Sequence, residues 1–267
     1  MKRVALILAG GAGTRLRPLS SDDNPKQFLR IFDGRSLLQK TAARVAGSVD
    51  AIYISTNVRY AKKCREHVPR GATVLTEPER RNTAPAIALC CFEIAAREGE
   101  TTIAVLASDH FIADEREFAR VLEQAYEAAE SHDALVTIGI APTEPNTDYG
   151  YLRIGAEVAP GILRVERFTE KPSRERAEEF LREGNYLWNA GMFVWRSAIF
   201  RSELQRAAPE IAGVNRANYA ALPSISIDYA LMEKAATVLA VRGDFGWSDV
   251  GSFEALERVG VKVNSIR

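Results

Sequence analysis

The sequence predicts an α/β protein with a mostly parallel central sheet flanked by helices, and three observations carry that prediction. Apolar runs of strand length recur at 4–9, 51–55, 73–75, 103–107 and 135–140, as expected of parallel strands covered on both faces. Segments with helical spacing lie between several of these runs, and that alternation implies right-handed βαβ units. At 267 residues, with 46% hydrophobic and 26% charged side chains, the chain is long enough for one large core.

The run at 4–9 is stopped by Gly10 and Gly11. Its start, MKRVALILAG, superficially resembles a leader. The apolar stretch is short, breaks into glycines and lacks a small-residue cleavage site, so a buried first strand is expected instead. The segment 84–97 is alanine-rich, with Ile87, Leu89 and Ile94 available for packing. In 118–129, Phe118, Val121, Leu122, Ala125 and Tyr126 share one helical face with glutamates opposite. The pattern changes after about Pro142. Strand-like segments at 149–154 and 162–168 flank Pro160-Gly161, which predicts a hairpin. Ser173 is the expected N-cap of a charged helix running to Arg182 before Gly184. Another strand is expected at 190–195, with helices filling much of the remainder. Without repeats, low-complexity tracts or long linkers, residues 1–267 are expected to form a single domain whose halves, 1–141 and 142–267, share one sheet.

Formal net charge is zero, so no global basic field points to nucleic acid or an anionic membrane, and no segment is long enough to span a bilayer. Cys64, Cys90 and Cys91 form no CxxC pair and are expected to be reduced, partly buried thiols of a cytoplasmic protein. His67, His110 and His132 have no metal-ligand spacing.

The strongest motif is Gly10-Gly11-Ala12-Gly13-Thr14-Arg15-Leu16-Arg17-Pro18-Leu19, followed by Pro25-Lys26-Gln27-Phe28. Glycines directly after a buried strand let backbone N–H groups approach phosphates. Arg15 can fork onto phosphate oxygens and Lys26 supplies a movable point charge. No Gly-Lys-Ser/Thr follows, and Leu16 occupies the place of a final GxGxxG glycine, which sets aside a Walker A loop and makes a dehydrogenase remote. The run resembles the signature of the sugar-nucleotide pyrophosphorylases, GGxGTRLxPLT/S followed by PKxF/L. That resemblance implies a Rossmann-like, GT-A-like nucleotidyltransferase fold. It makes 1–141 the nucleotide-binding half, with 142–267 binding the sugar phosphate. By resemblance Gly10, Gly11, Gly13 and Thr14 wrap the nucleoside triphosphate, Arg15 holds its outer phosphates, and Lys26 lies near the attacked phosphate.

Ser108-Asp109-His110 ends an apolar strand, where open α/β sheets bind ligands. It is similar to the family's SDH element, with Ala107 in place of the usual proline. Trp247-Ser248-Asp249-Val250-Gly251-Ser252 is similar to the family's WxDxGS element. The resemblance implies Asp109 and Asp249 as ligands of Mg2+, an ion that keeps one or two protein carboxylates plus substrate phosphates. Glu170-Lys171-Pro172 resembles the family's EKP element, implying that Glu170 holds sugar hydroxyls and Lys171 the sugar phosphate. Tyr149-Gly150-Tyr151 and Trp188-Asn189-Ala190-Gly191 resemble the flanking sugar-site elements, implying roles for Gly150 and Asn189. Packing is the alternative for the Tyr and Trp residues.

Glu77-Pro78 followed by Arg81-Asn82-Thr83-Ala84-Pro85-Ala86-Ile87 reads, on physics alone, as a helix start with Thr83 as N-cap. It resembles the mannose-1-phosphate guanylyltransferase branch, which places Glu77, Asn82 and Thr83, with Ser108, around the nucleotide. In the similar SIDYALMEK segment, Asp228 is expected to cap a helix. Members of that branch usually continue into a further β-rich or isomerase region, whereas this sequence ends at Arg267. The resemblance implies GTP and mannose 1-phosphate as substrates, with no nucleic-acid or membrane partner; homodimer formation stays open. The alternatives are UTP or dTTP with glucose 1-phosphate, or a catalytically silent regulatory subunit.

Overall fold

β1 (Lys2–Leu8) shows how the sheet is built: Val4 and Leu6 face one core, while Ala5 and Ile7 face the other. Alternate residues of a strand point to opposite faces, so a strand apolar at every position must be covered twice. The computed structural model describes residues 1–11 and 13–262. β1 lies between β2 (Ala51–Asn57) and β4 (Thr101–Ala107), parallel to both, and β3 (Thr73–Glu77) extends the parallel set. Beyond β4 come β9 (Tyr186–Arg196), β6 (Leu135–Ile140), β10 (Val238–Gly243), β8 (Ile162–Thr169) and β7 (Gly150–Ala159), closing a nine-stranded mixed sheet. β9 and β8 run against the other strands.

One face carries α1 (Leu37–Val45), α2 (Ala61–His67) and α4 (Glu115–Ser131), packed through Leu38, Cys64, Phe118 and Val121. The other carries α3 (Thr83–Glu98) and α6 (Ser197–Ala207), packed through Ile87, Ile94, Phe200 and Leu204. α5 (Arg174–Glu183) begins at Ser173, whose hydroxyl accepts from Arg176 N–H, and stops at Gly184 in left-handed backbone, as the sequence leads one to expect. The hairpin turning at Pro160-Gly161 forms as β7 and β8.

Three expectations are corrected. Asn82, not Thr83, is the N-cap of α3: its Oδ1 accepts from Thr83 N–H at 2.8 Å. β9 starts at Tyr186, ahead of the expected strand at 190–195. β10 forms where helices were expected, because its apolar run 238–241 is accommodated only between β6 and β8, a non-local pairing. Cys64, Cys90 and Cys91 are buried free thiols. Among the described residues no helix is long and apolar enough to cross a membrane.

Candidate active site

The carboxyl ends of β1, β3 and β4 open into a cleft of about 490 Å³ lined by Gly10, Gly11, Gly13, Glu77, Thr83 and Asp109, among others. Asn82 and Ser108 also line it, and Ser108 is buried. Gly13 has φ +62°, and a Cβ there would lie 2.6 Å from Lys26 Cβ, so the turn requires glycine on both counts. Gln27 braces the same loop, donating from Nε2 to Ala9 O at 2.9 Å and Gly11 O at 3.1 Å. The PKQF motif contains Gln27, but nothing in the sequence signalled this role.

Lys26 is buried on a 3-10 turn, with Nζ 2.8 Å from Asp109 Oδ2. The same ammonium donates to the backbone oxygen of Asp249. These distant aspartates meet through a small ribbon: β5 (Phe111–Ile112), following Asp109-His110, pairs antiparallel with β11 (Trp247–Ser248), preceding Asp249. Burial opposes ionisation of Asp109, but the Lys26 ammonium, through its charge and its hydrogen bond, outweighs it and holds the carboxyl below its usual range. Burial pushes the His110 imidazole down to about 4 despite the neighbouring Asp109 carboxylate.

The Asp249 carboxylate accepts from the Tyr149 hydroxyl at 2.9 Å and from Gly251 N–H at 3.2 Å, both on Oδ1. Arg15 is largely exposed, with Nη2 3.8 Å from Asp249 Oδ2 and Nη1 3.7 Å from Asp148 Oδ2; Thr14 beside it is also exposed. Among the described residues no three His, Cys, Asp or Glu side chains gather as a metal cage. Lys26 thus meets Asp109 through its carboxylate and Asp249 through its backbone oxygen, and oxygen donors of this type are the kind a magnesium ion takes alongside phosphates.

Glu77 is buried, and its Oε2 accepts from the Tyr219 hydroxyl at 3.0 Å. Burial pushes this carboxyl up, and Tyr219 and Arg80 offset part of the shift. Thr83 Oγ1 accepts from Ile227 N–H at 2.8 Å, and Ser224 lines the cleft. The wall therefore borrows from the second half of the chain.

A second polar group forms where β7 and β9 pair Gly150 with Asn189. A Cβ on Gly150 would lie 2.5 Å from Glu170 Oε2. Asn189 accepts from Thr137 Oγ1 at 2.9 Å and donates from Nδ2 to Asp228 Oδ1 at 3.2 Å. The expectation for Asp228 is thereby corrected. It opens a π-helical turn, Asp228–Met232, and makes no capping bond; Ser226 Oγ accepts from Tyr229 N–H instead. Burial first, then the Glu170 carboxylate, push Asp228 up to about 6. Lys171 pairs with Glu170, and despite burial the carboxylates of Glu170 and Asp228 hold its pKa above the usual value. Trp188 is buried, while Trp247 is half-buried and donates from Nε1 to His110 Nδ1 at 3.2 Å.

A glycine turn packed on a buried lysine, with that lysine held by the Asp109 carboxylate and the Asp249 backbone oxygen, lies at the ends of the parallel strands, and residues 4–265 match the nucleotidyl transferase family model. The chain belongs to the nucleotidyl transferase family. It is 40% identical to the xanthan biosynthesis protein XanB of Xanthomonas campestris pv. campestris, over 94% of this chain and 58% of that protein. It is also 40% identical to a mannose-1-phosphate guanylyltransferase of Escherichia coli, over 96% of this chain and 60% of that one. The chain thus spans about three fifths of the length of these relatives. A crystal structure named as a mannose-1-phosphate geranyltransferase from Thermus thermophilus superimposes with a TM-score of 0.90 at 39% identity, covering 97% of this chain and 79% of the other. In this nucleotidyl transferase the glycine loop and Asp109 line one cleft, and Lys26 joins the Asp109 carboxylate to the backbone oxygen of Asp249.

Proposed function

We propose that this nucleotidyl transferase moves GMP from GTP to mannose 1-phosphate, giving GDP-mannose and pyrophosphate. The observation that carries the reading is Lys26, buried between the Asp109 carboxylate and the Asp249 backbone oxygen beside the glycine turn. A phosphate oxygen of the sugar attacks the α-phosphorus in line as the bond from that phosphorus to the β-phosphate oxygen breaks. The nucleophile is already an anion, so positioning and charge screening suffice. Lys26 and Arg15 neutralise the triphosphate, and Gly10, Gly11, Gly13 and Thr14 surround it. Lys171 holds the incoming phosphate, while Glu170, Asn189 and Gly150 shape the sugar pocket. Asp109 and Asp249 would hold Mg2+, which supplies Lewis-acid screening of phosphate oxygens when bound.

The guanine assignment draws support from the name of the Escherichia coli relative and from the cleft wall. Glu77 offers a carboxylate there, beside Asn82 and Thr83 and across from Ser108. A carboxylate acceptor suits an N–H group on the pairing edge of guanine, and the Tyr219 hydroxyl bond fixes Oε2 and so orients Oε1. The test is pyrophosphate release with Mg2+ across GTP, dTTP, UTP, ATP and CTP, each with mannose 1-phosphate or glucose 1-phosphate. Preference for GTP with mannose 1-phosphate is expected. Another preferred pair would overturn the base or sugar assignment, and silence from folded protein on every pair would overturn the activity.

A further inference from the structure

Tyr149 stands between the two polar groups and is tied to both. Its main-chain oxygen accepts from Lys171 N–H at 3.3 Å, and its hydroxyl donates to Asp249 Oδ1 at 2.9 Å. Its ring meets Trp188 and Trp247 edge-on, with centroids 5.1 Å from each. Trp247 in turn reaches His110, the neighbour of Asp109.

The segments it holds are conformationally costly. Lys171 has φ 47°, and Val250, directly after Asp249, has φ 40°. A β-branched residue in left-handed backbone persists only where surrounding contacts over-determine it. Asp249 is held in that way. Its backbone oxygen takes Lys26 Nζ, its Oδ1 takes Tyr149 and Gly251 N–H, and a Cβ at position 251 would collide with Oδ2. Oδ1 takes both the Tyr149 and the Gly251 donors, and among the described residues the Oδ2 contact is the looser ion pair with Arg15 Nη2 at 3.8 Å.

We infer that Tyr149 is a positioning residue: its hydroxyl fixes the Asp249 carboxylate so that Oδ2 is presented to a divalent cation, in register with Lys171. This rests on the reading of Asp249 as a cation ligand. If Tyr149 served only to fill space, phenylalanine would replace it without consequence, because the ring makes the packing contacts and the hydroxyl makes the bond.

The experiment is Mn2+ binding to the full chain in the presence of GTP, read by water-proton relaxation, for wild type, Tyr149→Phe and Asp249→Asn. Tyr149→Phe is expected to weaken Mn2+ binding about 10–100-fold, the usual range for losing a group that orients a metal ligand. Its thermal midpoint and metal-free GTP affinity should stay near wild type, and Asp249→Asn should bind the ion at least as weakly. Wild-type Mn2+ affinity in Tyr149→Phe, with the ion lost in Asp249→Asn, would overturn the inference and leave the role of Asp249 standing. Wild-type affinity in both variants would overturn the role of Asp249 and the inference with it.

Discussion

On the β1–β4 side of the cleft, polar groups sit at the ends of parallel strands and are fixed by backbone: a glycine at φ +62°, a carboxylate following a buried strand, a lysine on a short turn. On the β7–β9 side, they sit on antiparallel strands and are fixed by one another. Asn189 holds Asp228, Asp228 helps to keep Lys171 charged, and Glu170 occupies the space that Gly150 leaves open. The first arrangement is rigid and tolerates little. The second is a network of side chains that can shift, as expected of a surface that distinguishes one set of hydroxyls from another.

The largest effect should come from Lys26→Met, which removes the cation shared by Asp109 and Asp249. Turnover is expected to fall about 100–1000-fold, on the order of 2.7–4 kcal/mol of transition-state stabilisation, with the far-ultraviolet circular dichroism unchanged. A loss below tenfold in folded protein would take Lys26 out of the chemistry.

Next are two glycines that sharpen the contrast. Gly13→Ala combines a left-handed backbone with a collision against Lys26, so a stability loss of about 1–3 kcal/mol is expected by denaturant titration. Gly150→Ala has no backbone strain; its Cβ meets the end of the Glu170 side chain at 2.5 Å and lies 3.3 Å from both Asn189 Cβ and the Phe168 ring. Stability should fall less than in Gly13→Ala while KM for mannose 1-phosphate rises about tenfold, near 1.4 kcal/mol, with KM for GTP steady. Equal changes in both KM values would break the division between the sides.

The last effect is conditional on pH and concerns Asp228. Its folded pKa of about 6 lies above the unfolded value of 3.8, so between those values the folded chain keeps a proton that the unfolded chain has released. Stability from the protonated form is present at low pH and is lost as pH rises through about 6. Asp228→Asn should therefore gain on wild type as pH rises from about 4 to 6, by on the order of 1–3 kcal/mol. Parallel thermal midpoints across that range would refute the protonation.

The same contrast explains what could be read from the sequence. The parallel strands are local patterns, whereas the glycine loop, Lys26 and Asp109 stood out through motifs similar to the family's, since on the residues alone a glycine-rich turn and a turn aspartate read equally well. The hairpin and α5 were legible as local patterns too, through Pro160-Gly161 and the Ser173 and Gly184 caps. Tyr219 against Glu77, Tyr149 against Asp249 and Asp228 against Asn189 join residues 39 to 142 positions apart, and no periodicity encodes such pairs. Asp228 near the start of an apparently regular helix reads as a cap. The π turn and Ser226 override that reading.

The most direct test of the account is to supply GTP labelled at the α-phosphate together with mannose 1-phosphate and follow the label. The account predicts that it appears in GDP-mannose, only when mannose 1-phosphate is present, and nearly disappears in Lys26→Met. Label that remains in GTP, or passes to a product formed without the sugar phosphate, would contradict it.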